Sequence, residues 1–174
     1  MTVILALLDT VSQQPQVGIT TPPTAKWPND LYLGDRKAGG ILIQNALSGT
    51  SWQSAIVGIG LNVNQTAFPI SAGRPTSLAL TAGHSFNTEV IAGTLFECVE
   101  RRYLQLKSGH RLAIRQEYES RLFRRGLLTD FQRANGEKFQ GVITGVQADG
   151  RLSMDTTRGR ELFGLKEVTL SKSL

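Results

Sequence analysis

The apolar residues of this chain change their spacing twice, and each change marks off a stretch that must fold in a different way. From about Val17 to Asn64 they come in short runs, Leu31-Tyr32-Leu33, Ile41-Leu42-Ile43 and Ile56 to Val63. Gly34-Asp35 and the polar Ser48-Gly49-Thr50-Ser51 stand between these runs, which predicts the strands of an antiparallel meander. After Asn87 and Thr88, either of which can cap a helix, Ile91, Leu95, Val99, Tyr103 and Leu106 recur at intervals of four, four, four and three. That spacing predicts a helix with those five residues on one face, and Glu89 suits its first turn. A second helix is predicted from His110 to Arg124, closed by Gly126. Beyond Leu127 the pattern shortens again, with the hairpin dipeptides Asn135-Gly136 and Asp149-Gly150. Four or five short strands there predict a small barrel or sandwich. The chain therefore reads as α+β: a mixed or antiparallel sheet packed by helices over residues 1–126, and a small β unit over 127–174.

Composition narrows what such a fold can be. The 174 residues are 40% hydrophobic with 18 Gly and 6 Pro, which excludes a disordered or collagenous chain. The opening run Met1 to Leu8 is apolar, but it has no basic residues before it and Asp9 ends it. It is too short for a membrane span, which takes about 20 residues, and it lacks the form of a signal peptide. We read it as a helix, and its abrupt start predicts an internal element of a larger domain. The single cysteine, Cys98, excludes an internal disulfide or a Cys-rich zinc site and leads to the expectation of a cytoplasmic protein. On a helix face it reads as a core residue rather than a nucleophile.

The net charge of +5 lies entirely in the second half, since residues 1–96 carry four basic and four acidic groups. Eight basic residues fall between Arg101 and Arg125 against Glu117 and Glu119. A solvated helix face accounts for such a run more readily than a polyanion surface, and specific DNA binding is not expected. His84 and His110 stand far apart with no ligand-spaced partner, and no nucleophile elbow is present. Gly58-Ile59-Gly60 is only a fragment of a dinucleotide fingerprint.

Three stretches carry chemistry together: Lys26-Trp27-Pro28-Asn29-Asp30, Arg36-Lys37-Ala38-Gly39-Gly40-Ile41-Leu42 and Gly58-Ile59-Gly60-Leu61-Asn62-Val63-Asn64. Their polar groups sit at strand ends or beside glycines, where backbone can approach a ligand closely. Lys37, followed by Ala38, Gly39 and Gly40, offers a cation with room beside it for a carboxylate or phosphate. Asn29 and Asn62 supply donors and acceptors suited to an adenine edge or a phosphate oxygen. Asp30 suits Mg²⁺, which accompanies triphosphates through one or two carboxylates. Each residue alone reads as an ordinary turn or surface residue; their combination within about forty residues does not.

These three runs, in this order, and the later Pro75-Thr76-Ser77-Leu78 closely resemble the biotin protein ligase family. The resemblance implies a catalytic domain like that of class II aminoacyl-tRNA synthetases, followed by a compact C-terminal β-barrel of Src-homology type. It implies two steps: biotin and ATP give biotinyl-5′-AMP and pyrophosphate, and a lysine of a biotin carboxyl-carrier protein then takes the biotin. Lys37 would be the essential lysine at the biotin carboxylate and phosphate, with Gly39 and Gly40 at biotin. Asn29, Asp30 and Asn62 would contact ATP or the adenylate, supported by Lys26 and by Glu167 from the C-terminal unit. The implied ligands are ATP, biotin and Mg²⁺, with no membrane and a homo-oligomer as one form.

The family's glycine- and arginine-rich segment of the GRGRxGR kind, which precedes these runs, does not occur in the 174 residues, nor does a winged helix-turn-helix. The expectation is a chain with weak or no ligase activity by itself. The alternative is a non-catalytic adenylate- or nucleotide-binding module, or a fragment completed by another chain. Lipoate transfer is the nearest confusable substrate class, and the first and third runs favour biotin.

Overall fold

The computed structural model describes residues 1–14, 22–49, 51–70 and 73–171. Val17 and Thr50, which the sequence reading places in its first β-rich stretch and its polar turn, lie outside them. The chain divides into two compact units, Met1–Ile114 and Arg115–Leu174.

The first unit opens with α1 (Thr2–Ser12), in which Ile4, Leu5, Ala6, Leu7, Leu8, Thr10 and Val11 are all buried. Consecutive buried residues occupy every side of a helix, so α1 is enclosed rather than half-exposed. Its hydroxyls turn inward on its own backbone: Thr10 Oγ1 donates to the Ala6 carbonyl at 2.8 Å and Ser12 Oγ to that of Leu8 at 2.9 Å. A four-stranded antiparallel meander follows, β1 (Thr24–Lys26), β2 (Asp30–Leu33), β3 (Arg36–Ser48) and β4 (Ser51–Leu61), in that spatial order. The short helix α2 (Leu78–Ala82) is capped by Ser77, whose hydroxyl accepts the Leu80 N–H.

The long helix α3 (Thr88–Lys107) begins where Asn87 Oδ1 accepts the N–H groups of Glu89 and Val90. Its buried side differs from the one that the spacing predicts. Ile91, Cys98 and Arg102 are buried and Leu95 is half-buried, whereas Tyr103 is exposed and Leu106 marginally so. Each step of four overshoots a full turn by about 40°, so a series of three such steps walks off the contact line. The steps of four, three and four through Ile91, Leu95, Cys98 and Arg102 stay on it. Helix α3 meets α1 along that line. There Asp9 accepts from Arg102 Nε at 2.7 Å and from Arg101 Nη2 at 3.3 Å. Cys98 is fully buried, with the Gln13 amide 3.4 Å from its sulfur.

Helix α4 (Arg111–Ser120) is shorter than the predicted His110–Arg124. At its end the Arg121 N–H is shared between the carbonyls of Glu117 and Tyr118, Ser120 Oγ binds the Glu117 carbonyl, and Leu122 N–H reaches only Glu119. These tightened turns end the α-ladder, and Arg124 takes the left-handed conformation (φ 58°) before Gly126 does.

The second unit is a five-stranded antiparallel sheet of β5 (Leu128–Arg133), β6 (Lys138–Val146), β7 (Leu152–Thr156), β8 (Gly159–Phe163) and β9 (Val168–Leu170). Its order is β8-β7-β6-β5-β9, so the last strand returns to lie beside the first. Gly136 (φ 89°) and Gly150 (φ 91°) make the two hairpin turns read from the sequence. Tyr118, Leu122, Phe131, Ile143, Val146, Leu152, Met154 and Phe163 form its core. Arg133 lies over the rings of Phe139 and Phe163 at 4.5 and 5.2 Å while its guanidinium grips both oxygens of Glu161. That clamp holds the Glu161 carboxyl below the usual range.

Among the described residues, the basic run from Arg101 to Arg125 is heavily paired. Arg101 and Arg102 meet Asp9, Arg115 meets Glu119 and Arg121 meets Glu117.

Candidate functional site

Strand pairing gathers the polar residues of the first unit on one side of the meander. Lys26 stands opposite Asp30, Asp30 opposite Gly40, and Gly40 opposite Gly60. Side chains on paired residues share a face, so Lys26 and Asp30 look out over Gly40 and Gly60. Strand β2 alternates, with Leu31 and Leu33 buried on the opposite side and Asp30 and Tyr32 on this one. A bulge between Leu31 and Tyr32 sets Tyr32 against Lys37 and so carries Lys37 to the same face.

On this face Lys37 Nζ lies 2.6 Å from Asp30 Oδ1. Gly40 makes the pair possible, because a Cβ there would stand 3.0 Å from that oxygen and 3.6 Å from Lys37 Cε. From the pair, an open cleft of about 440 Å³ runs along β3 and β4, lined by Asp30, Lys37, Gly40, Leu42, Gly58 and Gly60 among others. One end is charged. The other is apolar, with Leu42 and Ile56 exposed on the same face. A floor of three glycines lets a ligand lie against backbone, and the volume suits a small molecule.

Lys26 is the second cation of the face. Its ammonium lies 5.4 Å from the centre of the Tyr32 ring. Burial pushes its pKa down, while Asp30 pulls it up and Lys37 pushes it further down. The Tyr32 phenol is raised, by burial first and then by Asp30 and Asp35.

The other sequence-derived residues take different places. Asn29 sits in the turn after the cis Trp27–Pro28 peptide, and its carbonyl accepts the Ile41 N–H at 2.9 Å. Gly39 faces away from the cleft and is buried against β4, where a Cβ would lie 2.5 Å from the Gly60 carbonyl oxygen. Asn62 closes the sheet: its N–H donates to the Ala38 carbonyl, its carbonyl accepts from Leu78, and its side-chain amide donates to the Thr76 carbonyl. Glu167 belongs to the second unit, where its carboxylate accepts the Gly164 N–H at 2.6 Å.

Two contributors carry no assigned role in the sequence reading. Arg74 to Thr76 run beside Lys37, with the Lys37 N–H donating to the Arg74 carbonyl at 2.9 Å and the Thr76 N–H to the Lys37 carbonyl at 2.8 Å. The segment resembling the family's pre-helical stretch thus fixes the backbone of the cleft lysine. Tyr32 is the other, and the alternation of Asp30 and Tyr32 along β2 is the signal that could have shown it.

Residues 1–62, which contain all of this face, match the model of the Biotin/lipoate A/B protein ligase family. The chain is 29% identical over 160 residues to a biotin--[acetyl-CoA-carboxylase] ligase of Paracoccus denitrificans, a match covering 87% of this chain and 66% of that protein. It is 31% identical over 137 residues to the bifunctional ligase/repressor BirA of Bacillus subtilis, covering 77% and 42%. The chain thus spans between two-fifths and two-thirds of these curated relatives. The solved biotin protein ligase of Aquifex aeolicus in complex with biotin and ATP superimposes with a TM-score of 0.72 at 25% identity, over 99% of this chain and 72% of that one. The mixed α+β fold with antiparallel sheets is the fold of that catalytic domain. Three motif-bearing stretches that converge on one cleft, a family match over those same residues and a shared fold along nearly the whole chain make this chain similar to the biotin protein ligases.

Proposed function

We propose that this chain carries the carboxylate- and phosphate-facing part of an ATP-dependent biotin protein ligase, which makes biotinyl-5′-AMP and passes biotin to a lysine of a biotin carboxyl-carrier protein. The observation that carries this reading is the Lys37–Asp30 pair at the head of a glycine-floored cleft. In the first step a biotin carboxylate oxygen bonds to the α-phosphorus of ATP and pyrophosphate leaves. In the second, the carrier amine bonds to the biotinyl carbonyl carbon, AMP leaves and the amine loses a proton. Both steps build charge on oxygen beside phosphorus or carbon, and a held cation stabilises that charge. Lys37 supplies it, Lys26 adds a second, and Asn29, Asp30 and Asn62 contact ATP or the adenylate. Gly40 borders biotin by leaving the cleft open, and Gly39, which faces away, acts on the biotin site only by letting β3 and β4 close beneath it.

Asp30 is a single carboxylate, and among the described residues no group of three or more His, Cys, Asp or Glu side chains converges. That donor set fits Mg²⁺ only together with substrate phosphates, whose charge the ion would neutralise while Asp30 holds it. We further assign the five-stranded unit to the family's Src-homology-type barrel, the catalytic part to residues 1–126 and the barrel to 127–174. The setting is cytoplasmic, and no described helix is long and apolar enough to cross a membrane.

As a polypeptide of these 174 residues, with no GRGR-type run among them, the chain is proposed to ligate weakly or not at all. Incubated with biotin, labelled ATP and pyrophosphatase, it is expected to form adenylate far more slowly than a full-length ligase assayed beside it. Adenylate at the full-length rate would overturn the weak-activity reading. Calorimetry with a non-hydrolysable biotinyl-5′-AMP analogue should show binding, and its absence would overturn the assignment of the cleft.

One observation favours the alternative of a module completed by another chain or a second copy. Among the described residues β4 ends the sheet, and its eleven residues include no charge and no proline. Natural edges usually carry such protection. We expect the chain to self-associate at micromolar concentration and Ser54→Lys with Ile56→Lys to shift it to monomer in sedimentation velocity. A wild-type monomer across that range would remove the support.

A further inference from the structure

We propose that Tyr32 is a positioning residue of the cleft, its ring forming a seat that holds the Lys26 ammonium beside Lys37 so that two cations rather than one face an incoming phosphate. Three independent features converge on it. Pairing puts Tyr32 opposite Lys37 through the β2–β3 bulge and opposite Thr24 on β1, two residues before Lys26. The ring lies 5.4 Å from Lys26 Nζ, within the range in which an aromatic face attracts a cation. Asp30, the carboxylate that the strand pairing sets opposite Lys26, already holds Lys37 at 2.6 Å.

Two ammonium groups on one sheet face repel, and half-burial costs each of them hydration. With Asp30 committed to Lys37, Lys26 keeps its charge in the cleft through an attraction that adds no counter-charge to compete with the ligand. An aromatic ring does this and a second aspartate would not, because a carboxylate there would repel the phosphate that the two cations attract. The lowered pKa of Lys26 and the raised pKa of the Tyr32 phenol, with Asp30, Lys37 and Asp35 as the surrounding charges, agree with a crowded, partly dehydrated seat.

The phosphate ligand rests on the ligase reading above, while the seat itself does not, and the experiment separates the two. Nuclear magnetic resonance titration of the Lys26 side chain reads the seat without any ligand. Tyr32→Phe, which keeps the ring, should leave the Lys26 pKa in place, and Tyr32→Leu should lower it by about half a pH unit. Pentafluorophenylalanine at position 32 keeps the shape and reverses the ring's charge distribution, and should lower the pKa as Leu does even if the Leu variant folds poorly. Calorimetry with ATP then reads the consequence: Tyr32→Leu should weaken binding about threefold. The loss should vanish when Lys26→Met is already present, because one residue acts through the other. An unmoved Lys26 titration, or an equal loss in both backgrounds, overturns the proposal. Failure of the wild-type chain to bind ATP overturns the ligase reading, and the titration still decides the seat.

Discussion

Lys37→Met is expected to weaken binding of a biotinyl-5′-AMP analogue by about 10- to 100-fold, the worth of a hydrogen bond to a charged group. The loss has two parts. The ammonium at the head of the cleft disappears, and Asp30, only 27% exposed and held by that ammonium at 2.6 Å, is left as a bare anion facing the phosphate. Asp30→Asn added to Lys37→Met should therefore recover part of the affinity, since it removes the repulsion without restoring the attraction. The fold should hardly notice: Lys37 is 44% exposed, and pairs so placed contribute on the order of 1 kcal/mol or less. Lys37→Arg is not a conservative exchange here, because the guanidinium is broader and the space that Gly40 leaves is narrow. Calorimetry and thermal denaturation on the same samples check both halves. Unchanged affinity in Lys37→Met would remove Lys37 from the binding role, and a melting temperature that falls with the affinity would make its role structural.

Much of the fold was legible because short stretches of the chain strongly dictate their local structure. Asn87 caps α3 as its side chain suggests, and Asn135-Gly136 turns a hairpin as that dipeptide does in many folds. The pairing of Lys37 with Asp30 was not legible. It depends on a bulge that shifts the β2–β3 register by one, and period-two counting across Gly34-Asp35 cannot supply that. The same limit applies to Gly39 and Gly40, which are neighbours in sequence and lie on opposite faces of the sheet. Asn62 shows a different limit. Residue type suggests a ligand contact, but it cannot show that the backbone and side-chain amide also join Ala38, Thr76 and Leu78, partners set by a loop that returns fourteen residues later. On α3, the true contact line includes Cys98 and Arg102, and Arg102 is buried because Asp9 on α1 meets its charge. A charged residue in a core position is recognisable only once its partner is in place.

The glycines allow a sharper experiment, because the structure gives them two different reasons for being glycine. A Cβ at Gly39 would stand 2.5 Å from the Gly60 carbonyl oxygen and 3.3 Å from Leu61 Cα, both backbone atoms of the paired strand. No rotamer relieves such a contact, so Gly39→Ala must push β3 and β4 apart where they hold the cleft. Overpacking of this kind costs about 1–3 kcal/mol, occasionally more, and in a domain of this size about 2–4 °C of melting temperature for each kcal/mol. At Gly58 a Cβ would lie 3.8 Å from the Leu42 carbonyl oxygen, an ordinary contact, and at Gly60 it would be 3.9 Å from that of Gly40. Gly58→Ala and Gly60→Ala are therefore expected to melt within a few degrees of wild type, since alanine also restricts the unfolded chain. What they should lose is ligand affinity, because both positions line the cleft and a methyl group there raises its floor. The predicted result is a crossed pattern: Gly39→Ala falls in stability, while Gly58→Ala and Gly60→Ala fall in affinity for the adenylate analogue at nearly constant stability. Should Gly39→Ala melt with the wild type, the close approach of β3 and β4 would not be what keeps that residue a glycine. Should Gly58→Ala and Gly60→Ala bind as the wild type does, the ligand does not lie on the glycine floor, and the cleft's assignment would have to move toward its charged end.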